Sequence, residues 1–387
     1  MALFENQTIL LISPQPWDHI HISKHNYAIE LANRGNTVYF LEPPDGECPV
    51  AVQVDPVADY DGINTVRYQP QFPFALRFHA RPLFDRLMTW QIRSIVKAIP
   101  RPVDVVWSFE FNLFSNLRAF GGSVAIFHPV DPLSAPYQIN VARTADAVFS
   151  VSEDILANFK QIDVPAWFIN HGLSGPFANV ARSALGKNRK SDEMRRVGFA
   201  GNLAHSPLNR AVLKRMVEES SSAEFSFWGP TEPMESQPAE TRKEVAEFIQ
   251  FLSSRSNVRL RGAVSSIELA LQFQQMDCFI ATYSTGSREY DRSNSHKLLE
   301  YLSTGKVVVA SRISTYVPHR DLLRMPDGDD DSALPELLND TLRRLDEFNA
   351  WDIQEERRRF ALDNTYERQV DRIATKLSQL KSDQTLR

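Results

Sequence analysis

The chain opens with an apolar run of strand length, Thr8–Ile12, followed by a short polar loop. An apolar spacing of three and four residues then runs over 25–34 and ends at Gly35. A second apolar run, Thr37–Leu41, is stopped by Pro43 and Pro44. A strand, a helix and a strand with short connections form a βαβ unit, and this constrains the fold more than any other feature. The two strands lie parallel, and a parallel sheet needs helices over both of its faces. Further strands are predicted at 66–68, 103–109, 124–127, 147–151 and 167–169. After Phe177 the texture changes: residues 181–193 are polar, basic and without apolar periodicity. The alternation then restarts. Strands are predicted at 197–200, 225–228, 258–260, 278–282 and 307–310, and helices at 207–217, 239–253, 335–348 and 366–380. The reading is α/β, with two doubly wound domains facing a cleft. The expected boundaries are 1–180 for the first domain, 181–194 for a linker, 195–365 for the second domain and 366–387 for a final helix.

Composition narrows the function. A net charge of −5 argues against a general nucleic-acid binder. The two cysteines, Cys48 and Cys278, are too few and too far apart for a disulfide scaffold or a cysteine zinc site. The first residues lack the basic start and long apolar run of a signal peptide, and no run reaches the ~18 apolar residues of a spanning helix. The expected location is cytoplasmic, at most peripheral on the inner face of a membrane.

The most informative stretch is Ser293-Asn294-Ser295-His296-Lys297-Leu298-Leu299-Glu300-Tyr301-Leu302, closed by Thr304-Gly305 and the apolar run Val307–Ala310. It reads as a polar loop, a helix, a glycine cap and a buried strand. Ser293, Asn294 and Ser295 would present hydroxyl and N–H groups at the helix start, where an anion is favoured. Lys297 lies in the first turn, where a cation gains nothing from the helix unless it faces a phosphate. Glu300 is three residues on, on the same face, and suits ribose hydroxyls. A surface Lys297–Glu300 pair on an ordinary amphipathic helix explains the same spacing. Gly201 follows a predicted strand, where the lack of a Cβ lets the backbone approach a phosphate.

This stretch resembles the donor site of GT-B glycosyltransferases, above all the family-4-like group and its relatives in polysaccharide assembly. Val197-Gly198-Phe199-Ala200-Gly201-Asn202-Leu203, Phe225-Ser226-Phe227-Trp228-Gly229-Pro230 and Asn257 to Val264 match further parts in the expected order. The resemblance covers most of residues 195–312. It implies two Rossmann-like domains, with the last helix crossing back to the N-terminal one. Lys297 would contact the donor diphosphate and Glu300 the ribose, with Gly201, Asn202 and Tyr283 beside them. The turn at Gly262, with Ala263 and Val264, would lie near the nucleobase. Neither a metal nor another cofactor is implied. Where retaining relatives often carry a second Glu, this chain has Arg292, with Glu289 and Asp291 nearby. His205, Asn209 and Arg210 stand where a basic pair is usual.

On the acceptor side, three loops after first-domain strands carry candidates. Asp131, in His128-Pro129-Val130-Asp131-Pro132, matches the proposed base of inverting relatives, although a turn Asp before proline is also a common structural device. Asp18, His19 and His21 beside Trp17 suit a polar acceptor with a stackable sugar face, and Lys24 and His25 follow. A metal on His19, His21 and Asp18 is discounted for want of a third ligand cluster. Glu110 is the third candidate. The acidic loop 327–331 reads as a solvated loop with helix capping. Residues 67–101 hold Arg67, Arg77, Arg81, Arg86, Arg93, Lys97 and Arg101 against Asp85 alone, interleaved with Phe72, Phe74, Phe78, Phe84 and Trp90. Such a segment suits an anionic membrane surface, or buries its aromatics and leaves its arginines solvated.

The resulting expectation is a hexosyltransferase-type enzyme. It would move a sugar from a nucleotide-sugar, UDP-linked by preference, to a saccharide or lipid-linked saccharide. A nucleotide-sugar epimerase, a phosphorylase and a non-catalytic nucleotide-sugar-binding module stay open as alternatives.

Overall fold

A computed structural model of the chain describes residues 3–131, 135–187, 194–205, 208–233, 237–283 and 294–385. Its strands are β1 Thr8–Ile12, β2 Thr37–Leu41, β3 Val52–Pro56, β4 Ile63–Tyr68, β5 Val105–Ser108, β6 Val124–Phe127, β7 Ala147–Ser150, β8 Ala166–Phe168, β9 Arg196–Ala200, β10 Glu224–Trp228, β11 Val258–Gly262, β12 Cys278–Ala281 and β13 Val307–Ala310. The helices are α1 Ser23–Asn33, α2 Leu76–His79, α3 Arg81–Ala98, α4 Ala135–Ala142, α5 Glu153–Ala157, α6 Gly175–Ala184, α7 Arg210–Glu219, α8 Ala239–Ser253, α9 Ser266–Phe273, α10 His296–Leu302, α11 Leu334–Arg343, α12 Leu345–Phe348, α13 Trp351–Asp363 and α14 Tyr366–Thr385.

The chain forms two compact units, Met1–Gly172 with Tyr366–Arg387, and Leu173–Thr365. The first is built on an eight-stranded sheet in the order β3-β4-β2-β1-β5-β6-β7-β8. Every neighbouring pair is parallel except β3 and β4. Strand β1 is buried along its whole length, because successive residues serve opposite cores. Leu10 and Ile12 join Phe84, Met88 and Ile92 of α3, whereas Ile9 and Leu11 join Tyr27 and Leu31 of α1.

Helix α14 completes that second face. Tyr366, Val370, Ile373 and Leu377 recur at helical spacing and are buried there. Tyr366 meets Tyr27 edge-on at 5.0 Å, and Arg34 pairs with Asp371 at 2.7 Å.

The second unit carries a five-stranded, wholly parallel sheet in the order β11-β10-β9-β12-β13. It begins earlier than expected, at Leu173 rather than 195. Residues 181–184, expected as linker, continue helix α6. Phe177 of α6 is buried against Phe273, with ring centroids 5.6 Å apart. Residues 188–193 lie outside the described residues. Helix α13 is absent from the sequence expectation, because its buried face carries Gln354, Glu355, Arg357 and Arg358. Arg357 donates to the carbonyls of Leu322, Gly305 and Phe348 at 2.7, 3.1 and 2.8 Å. Its burial therefore rests on hydrogen bonds rather than on apolar contact.

A side chain at Gly172 would meet the Tyr366 ring at 2.5 Å, whereas Gly46 has open space around it. Gly172→Ala should therefore cost about 1–3 kcal/mol through overpacking. Gly46→Ala should be close to neutral. Urea unfolding midpoints of the two variants check this.

Candidate functional site

In a parallel sheet all strands end on the same edge, and ligands are held beyond their C-terminal ends. In the second unit β9, β10 and β11 run into glycine turns there. Gly201 N–H donates to the Trp228 carbonyl at 2.9 Å, Gly229 N–H to Gly262 at 2.8 Å and Leu203 N–H to Pro230 at 3.0 Å. A side chain at Gly229 would collide with the Gly201 carbonyl oxygen. A Cβ at Gly201 would stand 2.8 Å from Lys297 Nζ. The ammonium group thus occupies the space over the end of β9 that the missing side chain leaves open.

Helix α10 holds the lysine there. Four residues on from Lys297, the Tyr301 hydroxyl accepts from Ala200 N–H at 2.8 Å and donates to the Ala200 carbonyl at 3.2 Å. Its ring stacks on Phe279 at 4.5 Å. Tyr301 is the positioning residue that sequence reasoning missed, because it reads as one more apolar residue of the helix.

Glu300 is half-buried, and no ion pair links it to Lys297, so the surface pair that would also explain the spacing is not formed. Desolvation pushes its carboxyl up to about 7, and the Lys297 charge offsets only part of this. Lys297, Asn202, His205, Thr282, Tyr283 and Tyr301 line one recess. The Thr282 hydroxyl is buried and has no hydrogen-bond partner among the described residues. The sequence marked Thr282 only as the end of a strand.

Other predicted donor residues have structural work. Asn202 Oδ1 accepts from Ala204 N–H at 2.9 Å and shapes the glycine turn. The Tyr283 hydroxyl meets Ser295 Oγ at 2.7 Å, and Tyr283 N–H donates to Ser311 Oγ at 2.9 Å. Asn294 is half-buried and Ser295 buried at the start of α10. Ala263 is exposed, and Val264 is half-buried beside the core. Ser293, Glu289, Asp291 and Arg292 lie outside the described residues. Arg210 donates through one guanidinium nitrogen to the carbonyl of His205 at 2.8 Å. Asn209 caps α7 through Val212 N–H at 3.2 Å. The acidic loop is solvated only in part. Asp330 caps the short turn at Ser332, but Asp331 is buried and accepts from Ser311 Oγ at 2.9 Å.

In the first unit a recess of about 230 Å³ at the same kind of sheet edge gathers Pro14, Gln15, Glu110 and Asp131. Asp131 is exposed there, and its carbonyl accepts from Gln138 Nε2 at 3.0 Å. Glu110 is a structural group. Its buried carboxylate accepts from the N–H groups of Asn112, Leu113 and Phe114 at 2.7, 2.8 and 3.4 Å.

Close by, Lys24 is buried and makes no hydrogen bond or ion pair among the described residues. Burial brings its ammonium down to about 8, against the opposing pull of Asp131. The same charge helps hold His128 and His171 neutral, after burial as the main cause. His128 Nε2 and the Tyr27 hydroxyl are also buried without a hydrogen-bond partner. Tyr27 and His128, with ring centroids 5.3 Å apart, thus bury polar atoms beside Lys24, a cluster that sequence reasoning touched only at Lys24.

The first loop divides. Trp17 is packed among Phe40, Tyr60, His21 and His25, so its faces are not open for stacking on a sugar. His25 Nε2 bonds the Pro16 carbonyl at 2.9 Å. Asp18 and His19 are exposed and do not line the recess with Asp131. Among the described residues no group of three His, Cys, Asp or Glu is placed to hold a metal ion.

No protein-family model matches the chain, and no curated protein matches its sequence. Solved structures do match. Sucrose-phosphate synthase from Thermosynechococcus elongatus aligns with TM-score 0.68 at 14% identity, covering 98% of this chain and 99% of that one. An α,α-trehalose 6-phosphate synthase from Burkholderia multivorans aligns with TM-score 0.66 at 13% identity, covering 99% and 98%. HepE from Anabaena, in complex with UDP and glucose, aligns with TM-score 0.63 at 14% identity, covering 96% and 99%. The chain has the fold of these GT-B glycosyltransferases over nearly its whole length.

Glu300 yields a stability test. Its folded pKa of about 7 lies above the ordinary carboxyl value of 4.5, so the native state holds a proton that the unfolded chain releases first. Stability should therefore fall as pH rises between these values. The wild type should lose roughly 1–3 kcal/mol relative to Glu300→Gln across that window, discounted for the partial exposure of the group. Urea titrations of both proteins at several pH values measure it. Tyr301→Phe strands the Ala200 N–H and should cost about 1–3 kcal/mol.

Proposed function

We propose that this protein is a glycosyltransferase that moves a sugar from a UDP-sugar to a saccharide or lipid-linked saccharide in polysaccharide or glycoconjugate assembly. The observation that carries the reading is the Lys297 ammonium against the side-chain-free turn at Gly201, at the strand ends of the second unit. The shared fold supports the class. The loop-helix-strand stretch from Ser295 to Ala310 supports the family-4-like group within it.

In this reading the donor diphosphate lies at Lys297, beside the Thr282 hydroxyl, and the ribose hydroxyls donate to Glu300. Gly262, Ala263 and Val264 flank the nucleobase. Transfer forms a bond from the acceptor oxygen to the anomeric carbon and breaks the bond from that carbon to the diphosphate oxygen. Lys297 stabilises the negative charge that develops on the leaving UDP. The acceptor occupies the first unit near Asp131. Asp131 takes the hydroxyl proton if configuration inverts, and the leaving phosphate takes it if configuration is retained.

UDP should raise the unfolding midpoint by several degrees, since ligand at ~100 times its dissociation constant adds about 2.7 kcal/mol. Lys297→Ala should abolish that shift, while GDP and ADP should give a smaller one. Glu300 accepts more strongly, and through both oxygens, when ionised, so UDP affinity should climb as pH rises through about 7, and Glu300→Gln should flatten the profile. Asp131→Ala should keep the UDP shift and lose turnover of a UDP-sugar. Full turnover in that variant would remove Asp131 from the mechanism, and the absence of a shift with any nucleotide would overturn the donor assignment.

A further inference from the structure

Helix α3 turns both large apolar side chains and cations to solvent. Its core face is Phe84, Met88, Gln91, Ile92 and Ile95. Its outer face repeats at three and four residues as Leu83, Arg86, Trp90, Arg93 and Lys97, all exposed. Leu83 and Trp90 are 49% and 52% exposed, and Phe78 of the preceding turn is 70% exposed. The aromatics of the basic segment therefore separate. Phe72, Phe74 and Phe84 pack together in or against the core, while Phe78 and Trp90 face water.

The charges separate too. Arg67 pairs with Asp55 at 3.2 Å and Arg81 with Asp85 at 2.9 Å. Arg86, Arg93 and Lys97 have no carboxylate partner among the described residues. The stripe thus combines unpaired cations with large apolar side chains, which fold stability does not require on a solvent face.

We propose that this stripe, with Phe78, docks the protein on an anionic lipid surface. Leu83, Trp90 and Phe78 would enter the boundary between headgroups and acyl chains, and Arg86, Arg93 and Lys97 would meet lipid phosphates. Charge complementarity selects the occupant. A stripe that repeats every three or four residues and alternates Leu83 and Trp90 with cations, with no acid on it, matches an interfacial helix better than a protein groove, which would pair the cations individually.

The start of α3 lies against helix α4, which follows Asp131 in the same unit. Arg81, at the start of α3, stacks over the Tyr137 ring at 4.7 Å, and the neighbouring Gln138 donates to the Asp131 carbonyl. Docking through α3 would bring a lipid-linked substrate near Asp131. That last step rests on the glycosyltransferase reading; the docking itself does not.

The test is co-sedimentation of the full chain with vesicles of phosphatidylcholine alone or mixed with phosphatidylglycerol. The protein should pellet only with the anionic vesicles and should be released by salt. Each of Arg86→Gln, Arg93→Gln and Lys97→Gln should lower partitioning about fivefold. A blue shift of tryptophan emission on binding should be lost in Trp90→Phe. The UDP-induced rise in unfolding midpoint, measured on the same variants, should stay at its wild-type size, which separates failed docking from failed donor binding. Equal binding to both vesicle types, or to neither, overturns the proposal. So does a dimer in solution, measured by light scattering, that Trp90→Ala dissolves, because the face would then be an interface between copies of this chain.

Discussion

A parallel sheet offers no face that can be left to water, and this constraint organises both units. In the first, α1 alone does not cover the face built on Ile9, Leu11, Phe40 and Trp107. The chain therefore returns from the second unit and lays Val370, Ile373 and Leu377 of α14 onto the same core. With both faces closed, the edge beyond the C-terminal strand ends is the part of each sheet left for chemistry. Both recesses lie on that edge: Asp131 follows β6, and Gly201 follows β9.

The two recesses differ in how they hold charge. In the second unit a glycine removes the side chain that would fill the space taken by the Lys297 ammonium, and Tyr301 locks the helix that carries it. The cation is placed by backbone close approach rather than by a carboxylate, which leaves it available to an anion. In the first unit Lys24 is buried near neutral His128 and His171 and an exposed Asp131. Burying an ammonium without an ion pair is costly. The Tyr27 hydroxyl and His128 Nε2 are likewise buried without a hydrogen-bond partner among the described residues, which costs stability rather than adding to it.

Much of this was legible in the sequence, because apolar periodicity reports burial directly. The strands Thr8–Ile12, Thr37–Leu41, Val124–Phe127 and Val307–Ala310 fall where the pattern places them. Edge strand β3 was missed because half-exposed residues ending at Pro56 leave little apolar signal, and α13 was missed because its buried face is polar. The polar stretch after Phe177 hid the end of α6 for the same reason. At the site, Lys297, Glu300 and Gly201 were legible as a motif. The roles of Tyr301, Thr282, Tyr27 and His128 were not, since they depend on which long-range neighbour leaves a hydroxyl or ring nitrogen paired or unpaired. Glu110 was misread for the converse reason: a loop carboxylate after a strand looks available until three backbone N–H groups are found on it.

The central claim is that a nucleoside diphosphate is held at the strand ends of the second unit by Lys297 over Gly201. Amide hydrogen exchange with and without UDP tests it most directly, because it reports where the ligand acts and needs no acceptor or turnover. The account predicts slowed exchange in residues 197–204 and 296–302, lost in Lys297→Ala. Protection confined to the first unit, or none at saturating UDP, would contradict it.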